Sequence, residues 1–194
     1  MEKILEQRKE LLEQYEKLNN QIIELDLRVY ESENNKSVDY ETKRLKLEHE
    51  QDKIVLKLIK TEKSVLEQNY VLALSLRDNL RDLSKATNQQ KENLIFAEER
   101  VKAFNDLIRR FDSVIYCNDN DLYGIDICIA DLKRIQGDED KMREELTNIS
   151  ILRNLYRPWP LSEEADNFKM LLSAHKNLTE KLKGLSIDSE QKME

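Results

Sequence analysis

The sequence predicts an all-α protein built as an elongated coiled coil, with a helical hairpin at its N-terminal end and a small helical head at its C-terminal end. Gly and Pro are scarce, at 3 and 2 residues in 194, so tight turns and irregular loops must be few. Charged residues make up 37% and hydrophobic residues 39%, a mixture typical of long amphipathic helices. From Ala73 to Ile115, apolar residues recur at alternating spacings of three and four, and this narrow stripe must be buried against another helix.

The first coiled-coil helix is predicted over residues 1–30. Its seam repeats every seven residues and consists of Ile4, Leu11, Leu18 and Leu25. Leu5 and Leu12 widen this stripe, which suits contact with more than one helix. Residues 31–37 contain no apolar side chain and predict a turn, with Ser37 as the N-cap of the next helix.

One long helix is predicted over residues 38–116. The seam spacing slips near residues 70–80, which predicts a stammer, a local overwinding of the supercoil. The second half carries the cleaner seam, and we interpret it as a coiled-coil interface with a partner helix. The interface residues are Leu76, Leu80, Leu83, Leu94, Val101, Phe104, Ile108, Phe111 and Ile115.

Four polar residues occupy seam positions of this long helix: Asp52, Lys63, Thr87 and Gln90. A polar seam residue costs stability and selects register or partner, because a wrong pairing leaves it unsatisfied. The alternative is that the coil is loose or exposed at these points. The sequence leaves both interpretations open.

The segment 114–129 departs from the helical pattern. Residues 114–117 favour a strand, residues 118–121 predict a turn, and the three isoleucines from Ile125 to Ile129 alternate with other residues, so one reading is a short β-hairpin. The other is a helical hairpin whose second arm starts near Leu122. We favour the helical hairpin because the surrounding sequence is helical, and we assign residues 117–184 to the head.

An elbow at residues 157–160 is the best candidate for partner docking. Arg157 and Trp159 belong to an extended stretch between helices, and such anchors dominate interface energies. Phe168 and Leu172 on the last helix complete the candidate surface, although Trp159 covering the protein's own core is a competing explanation. Residues 157–164 resemble a proline-flanked tract of a coiled-coil subunit in the Mediator middle module; the resemblance covers eight residues and lacks the proline-rich context upstream, and we assign no family from it. Residues 185–194 predict a disordered tail.

No catalytic, cofactor-binding or metal-binding residue is predicted. The sequence has no Gly-rich phosphate loop and no HExxH or GxSxG motif, so an enzyme is disfavoured. Asp119 opens a stretch similar to a calcium loop, but the twelfth position is Ala130 where the loop needs Glu. His49 and His175 lie on apolar stripes and are interpreted as structural. The two cysteines fit no zinc spacing and are interpreted as reduced.

Charge argues against nucleic acid as the main partner. The formal net charge is −7, and the densest lysine run, over residues 43–63, is interleaved with carboxylates, as on a solvated helix face. No apolar window is long enough to span a membrane, and the N-terminus lacks the pattern of a signal peptide.

These observations predict a non-enzymatic structural subunit of an intracellular, eukaryotic multiprotein complex. It would pair by coiled coil with one or more helical subunits, and hetero-oligomers are favoured over a homodimer. A nuclear assembly such as a kinetochore or transcription-coactivator complex is favoured over a cytoplasmic one, on fold-level analogy. The alternatives are a membrane-surface-binding or vesicle-tethering dimer and a homodimeric spacer.

Overall fold

A computed structural model describes residues 2–31, 37–81, 87–156, 169–170 and 172–180. Four helices have defined bounds: α1 is Glu2–Glu31, α2 is Val38–Arg81, α3 is Asn88–Asp131 and α4 is Glu139–Tyr156. Residues 172–180 form a further helix. The ranges described contain no strand, and the predicted all-α class is confirmed. The predicted turn core, the elbow and the tail lie outside the described residues.

The start of α2 follows from its local sequence. The Tyr40 backbone N–H donates a hydrogen bond to the Ser37 hydroxyl at 3.2 Å, so Ser37 acts as the N-cap that the sequence predicts. Asp39 and Glu41 lie in the first turn, where negative charge is favoured by the helix dipole.

The single helix predicted over residues 38–116 is wrong, because α2 ends at Arg81 and α3 begins at Asn88. Thr87 and Gln90, predicted to be polar seam residues, instead form a capping box at the start of α3. The Gln90 backbone N–H donates to the Thr87 hydroxyl at 3.2 Å, and the Thr87 N–H donates to the Gln90 side-chain oxygen at 2.8 Å. This reciprocal pair satisfies two backbone donors and favours a new helix over a continued one.

The hairpin predicted within residues 114–129 is also wrong in both its β and its helical form, because α3 runs unbroken to Asp131. The Asn118 and Asn120 side-chain amides donate to the carbonyls of Val114 and Tyr116, at 2.8 and 3.0 Å. These bonds reach back four residues along the helix, so the two amide N–H donors find acceptors without a turn. Local turn propensity is overridden by helical packing.

The turn after α3 and the start of α4 have a clear local cause. Gly137 has a φ of 108°, a left-handed conformation that side chains with a Cβ rarely adopt. Asp138 then accepts a hydrogen bond from the Lys141 backbone N–H at 3.2 Å and caps α4. The Lys141 ammonium, acting mainly through a hydrogen bond, holds the pKa of Asp138 below its usual value.

The described residues group into two compact units. The first unit contains α1, α2 up to Thr61, α3 from Asp112 and α4. The second unit contains α2 from Glu62, α3 up to Phe111 and the helical residues between 169 and 180. The predicted head over residues 117–184 is therefore not a single unit, because its described residues divide between the two.

In the first unit α3 runs antiparallel to α2, whereas α4 runs parallel to α2, since Arg143 contacts Glu41 and Arg153 contacts Asp52. Lys53 contacts Asp126 and Lys60 contacts Asp119, each at 2.7 Å, so numbering rises along α2 as it falls along α3. The core between α2, α3 and α4 consists of buried Val38, Leu45, Ile125, Leu132, Leu146 and Ile149. Between α1 and α2, Asp26 accepts a hydrogen bond from the Tyr40 hydroxyl at 2.6 Å. This contact joins the two arms of the N-terminal helical hairpin.

The second unit packs the end of α2 on the start of α3 and on the 172–180 helix. Its core contains buried Leu80, Ala97 and Leu178, with Leu76 and Leu94 packed against them. Arg81 and Glu98 form an exposed ion pair beside this core, at 2.5 Å. Phe104 is fully buried and meets the His175 ring edge to face, with ring centroids 5.9 Å apart.

Candidate functional site

The seam predicted as a partner interface is used instead for the chain's own packing. Leu80, Phe104 and Phe111 are buried, and Leu76 and Leu94 pack on the core of the second unit. Val101, Ile108 and Ile115 are half-buried, whereas Leu83 lies outside the described residues. For Leu76, Leu80 and Leu94 the interpretation as a free interface is wrong, because these residues of α2 and α3 pack together in a core of their own chain.

The predicted elbow surface stays a prediction. Arg157, Trp159 and Phe168 lie outside the described residues. Leu172 lies in the 172–180 helix and is half-buried. The described part of the chain therefore offers a docking surface elsewhere.

That surface is an exposed apolar stripe on α1, which we call the α1 stripe. It consists of Leu5, Leu12, Ile23, Leu27 and Tyr30. Their side chains are between 42% and 85% exposed. A helix turns by about 100° per residue, so the five fall within an arc of about 60°. They share one side of the helix as two groups, Leu5 with Leu12 and Ile23 with Leu27 and Tyr30, and exposed Glu16 lies between the groups.

The α1 stripe is separate from the side of α1 that packs. Leu11 and Ile22 are buried, and Ile4, Leu18 and Leu25 are half-buried. These packed residues centre about 120° around the helix from the α1 stripe. Thus α1 buries one apolar stripe and leaves a second one exposed, and the predicted contact of Leu5 and Leu12 with a further helix stays a prediction.

One edge of the α1 stripe is acidic. Exposed Glu6, Glu13 and Glu24 follow it on the same side of the helix. Lys9 and Arg28 approach Glu13 and Glu24 at 3.8 and 3.9 Å, in exposed pairs that stabilise the helix only slightly. The opposite edge contains Arg8, Asn19 and Asp26, so the two edges differ in charge.

Two smaller apolar surfaces lie on the same unit. On α3, Tyr116, Tyr123 and Ile127 are 73%, 68% and 47% exposed, on the side opposite the buried residues of that helix. On α4, Ile151 and Leu155 are exposed one helical turn apart. Each surface is shorter than the α1 stripe.

A buried ion cluster fixes α4 against α2. The Arg153 guanidinium donates from Nε to Asp52 at 2.5 Å and from Nη1 to Glu48 at 2.6 Å. Arg153 and Asp52 are buried away from water, so each charge is stabilised mainly by the other. Asp52, predicted at a seam position, therefore has an intramolecular partner. One sequence signal places Arg153 on the packed side of α4: it follows Leu146 and Ile149 at spacings of three and four.

His49 belongs to a second polar cluster between α2 and α3. Its Nε2 lies 2.9 Å from the Asp126 carboxylate, and Lys53 contacts the same oxygen at 2.7 Å. Burial works to raise the pKa of Asp126, but hydrogen bonds from Lys53 and His49 outweigh it and hold that pKa below its usual value. The cluster joins two helices of the first unit, in keeping with the structural interpretation of His49.

His175 and the cysteines present no organised reactive centre. Burial, and to a lesser extent the Arg100 charge, lower the pKa of His175, whose ring packs on Phe104. Cys117 and Cys128 are both free thiols. Burial and nearby carboxylates raise the pKa of Cys128, which reduces its thiolate fraction at neutral pH.

Metal and membrane sites are likewise missing from the described ranges. Within them, no group of three or more His, Cys, Asp or Glu side chains is arranged to hold a metal ion. The stretch similar to a calcium loop is part of α3, and Asp119 pairs with Lys60. No helix there combines the length and apolarity needed to cross a bilayer.

Comparison with known proteins assigns no family. No protein-family model matches the chain, and no curated protein or solved structure is significantly similar to it.

Proposed function

We propose that this protein is a non-enzymatic scaffolding subunit of a multiprotein complex and that it binds a helix of another subunit along the α1 stripe. The observation that carries this proposal is the separation of two apolar stripes on α1, one packed and one exposed. Exposed apolar residues that share one side of a helix are typical of a protein–protein contact. Helices with an apolar stripe pair by placing that stripe in the groove of a partner.

The exposed apolar area of the α1 stripe limits the free energy that a partner gains by covering it. Its five side chains are roughly half exposed, so covering them contributes on the order of 1 kcal/mol each. The sum, about 5 kcal/mol, is similar to the lower estimates of the cost of association. The apolar contact alone is therefore insufficient for a stable complex. Additional contacts from the stripe edges, the α3 and α4 surfaces or the elbow must contribute.

The charge pairing of the lysine run disfavours the membrane alternative. Lys43 pairs with Asp39 at 2.6 Å, and Lys53 and Lys60 pair with carboxylates of α3. These ion pairs reduce the positive potential that an anionic bilayer or a nucleic acid would recognise. The acidic edge of the α1 stripe would also be repelled by an anionic surface.

The cellular setting is proposed by analogy alone. Subunits of kinetochore and transcription-coactivator complexes use long helices in the same way, and on that basis we favour a nuclear complex over a cytoplasmic one. A vesicle-tethering dimer and a homodimeric spacer are the alternatives. We assign no catalytic, cofactor-binding or metal-binding residue.

Affinity purification of the full chain followed by mass spectrometry tests this function. The α1-stripe variant, Leu12→Glu with Ile23→Glu, places two charges in the proposed contact and should lose the co-purifying helical subunit. A matched control, Gln14→Glu with Gln21→Glu, adds the same charge at exposed α1 positions outside the stripe and should retain it. Equal recovery of every partner by both variants would reject the α1 stripe as the docking surface.

Light scattering of the purified chain separates the homodimeric alternative. The proposal predicts a mass near that of one chain, 23.1 kDa, for the protein alone. A stable dimer that the α1-stripe variant converts to a monomer would show that a second copy occupies the stripe.

A further inference from the structure

The two edges of the α1 stripe restrict the kind of helix that can pair with it. Glu6, Glu13 and Glu24 follow one edge, and Glu16 lies within the exposed arc. Lys9, Lys17 and Arg28 lie on the same side, but Glu10 lies there too, so this acidic row of α1 is net negative. In helix pairs, residues beside the apolar stripe face those of the partner and decide which partner is accepted.

A second copy of this chain would match the acidic row of α1 poorly in charge. If two α1 helices paired antiparallel through the stripe, each glutamate row would face the other, and like charges would repel. If they paired parallel, the row would face the opposite edge, where Arg8 is the single cation beside Asn19 and Asp26. Asp26 already accepts hydrogen bonds from Tyr40 and Arg44.

We infer that the occupant of the α1 stripe is an amphipathic helix of a different protein that carries Lys or Arg beside its apolar stripe. This inference rests on the proposed function, since it names the chemistry of the partner for the same surface. It also supplies the contribution that the apolar contact lacks. Charge pairs along the edge would add to affinity and accelerate association, and both effects would weaken as salt screens them.

The test is a fluorescence-anisotropy titration of the full chain with two labelled synthetic helical peptides. Both peptides have the same apolar stripe, and the residues beside it are Lys in one and Glu in the other. We expect the Lys peptide to bind about tenfold more tightly, as three weak exposed charge pairs would give. We expect the difference to shrink as NaCl rises from about 50 mM to about 500 mM.

Charge reversal in the protein provides the matched variant. Glu6→Lys with Glu13→Lys should reverse the preference between the two peptides, and circular dichroism should report unchanged helix content. Equal affinities for both peptides, each abolished by Leu12→Glu with Ile23→Glu, would overturn the charge inference and leave the α1 stripe as a docking surface. The proposed function itself would be overturned if this stripe variant did not weaken the binding of either peptide. It would also be overturned if neither peptide bound saturably to the parent chain.

Discussion

The Arg153 guanidinium on α4 lies 2.5 Å from the Asp52 carboxylate on α2, and both side chains are buried. The pair joins residues that are far apart in the sequence and fixes the position of α4. Glu48 accepts a further hydrogen bond from the same guanidinium. Because buried charges depend on one another, this cluster is a point at which a single substitution has a large effect.

Arg153→Ala should lower the free energy of unfolding by about 3 kcal/mol, because the buried Asp52 carboxylate would remain without its cation. Urea denaturation followed by circular dichroism measures the change. Arg134→Ala, at an arginine whose side chain is 82% exposed, is the control and should stay within about 0.5 kcal/mol of the parent. A loss for Arg153→Ala no greater than that of the control would contradict the buried cluster.

The helical state of residues 114–129 is tested at Gly124. A Cβ added there meets nothing within 4 Å, so Gly124→Ala should stabilise the protein by up to about 1 kcal/mol through helix propensity. Gly137→Ala should destabilise it by about 1 kcal/mol or more, because Gly137 has a positive φ. Thermal unfolding of the two variants measures both signs. Destabilisation by Gly124→Ala would indicate a turn at that position.

The capping box at the start of α3 gives a third prediction. Thr87→Ala should reduce the free energy of unfolding by about 1 kcal/mol, since the Gln90 N–H would lose its acceptor. Thr87→Ser keeps the hydroxyl and should retain most of the stability. If α2 and α3 were instead one continuous helix, Ala would be the better residue at this position and the sign would reverse.

The stability of the second unit should depend on pH through His175. Its pKa is lowered by burial, and then by Arg100, so the unfolded chain binds the proton more readily than the folded chain. The stability contribution is therefore present above about pH 6.5, the usual value, and is lost as the pH falls through the folded pKa. Urea denaturation from about pH 7.5 to about pH 5 should show a steeper loss for the parent than for His175→Leu. Parallel pH profiles would show that His175 does not titrate in this way.

The sequence predicts the helical class because that class follows from composition and periodicity, which are local properties. The prediction of one long helix is wrong because the seam keeps its spacing across Thr87 and Gln90. Spacing alone does not distinguish one continuous helix from two antiparallel helices. The run at residues 118–121 has turn propensity, but Asn118 and Asn120 reach back to helix carbonyls. The exposure of the α1 stripe and the Asp52–Arg153 pair depend on contacts between distant segments. Periodicity carries no information about those contacts.

Photo-cross-linking from position 12 reports directly whether the α1 stripe contacts another protein. A photoreactive phenylalanine analogue replaces Leu12 in the α1 stripe or, in the matched control, exposed Gln14 outside it, and the cells are irradiated. We expect a covalent adduct with a helical subunit of another protein from position 12, and little or none from position 14. No adduct from position 12 beyond that seen from position 14 would contradict it.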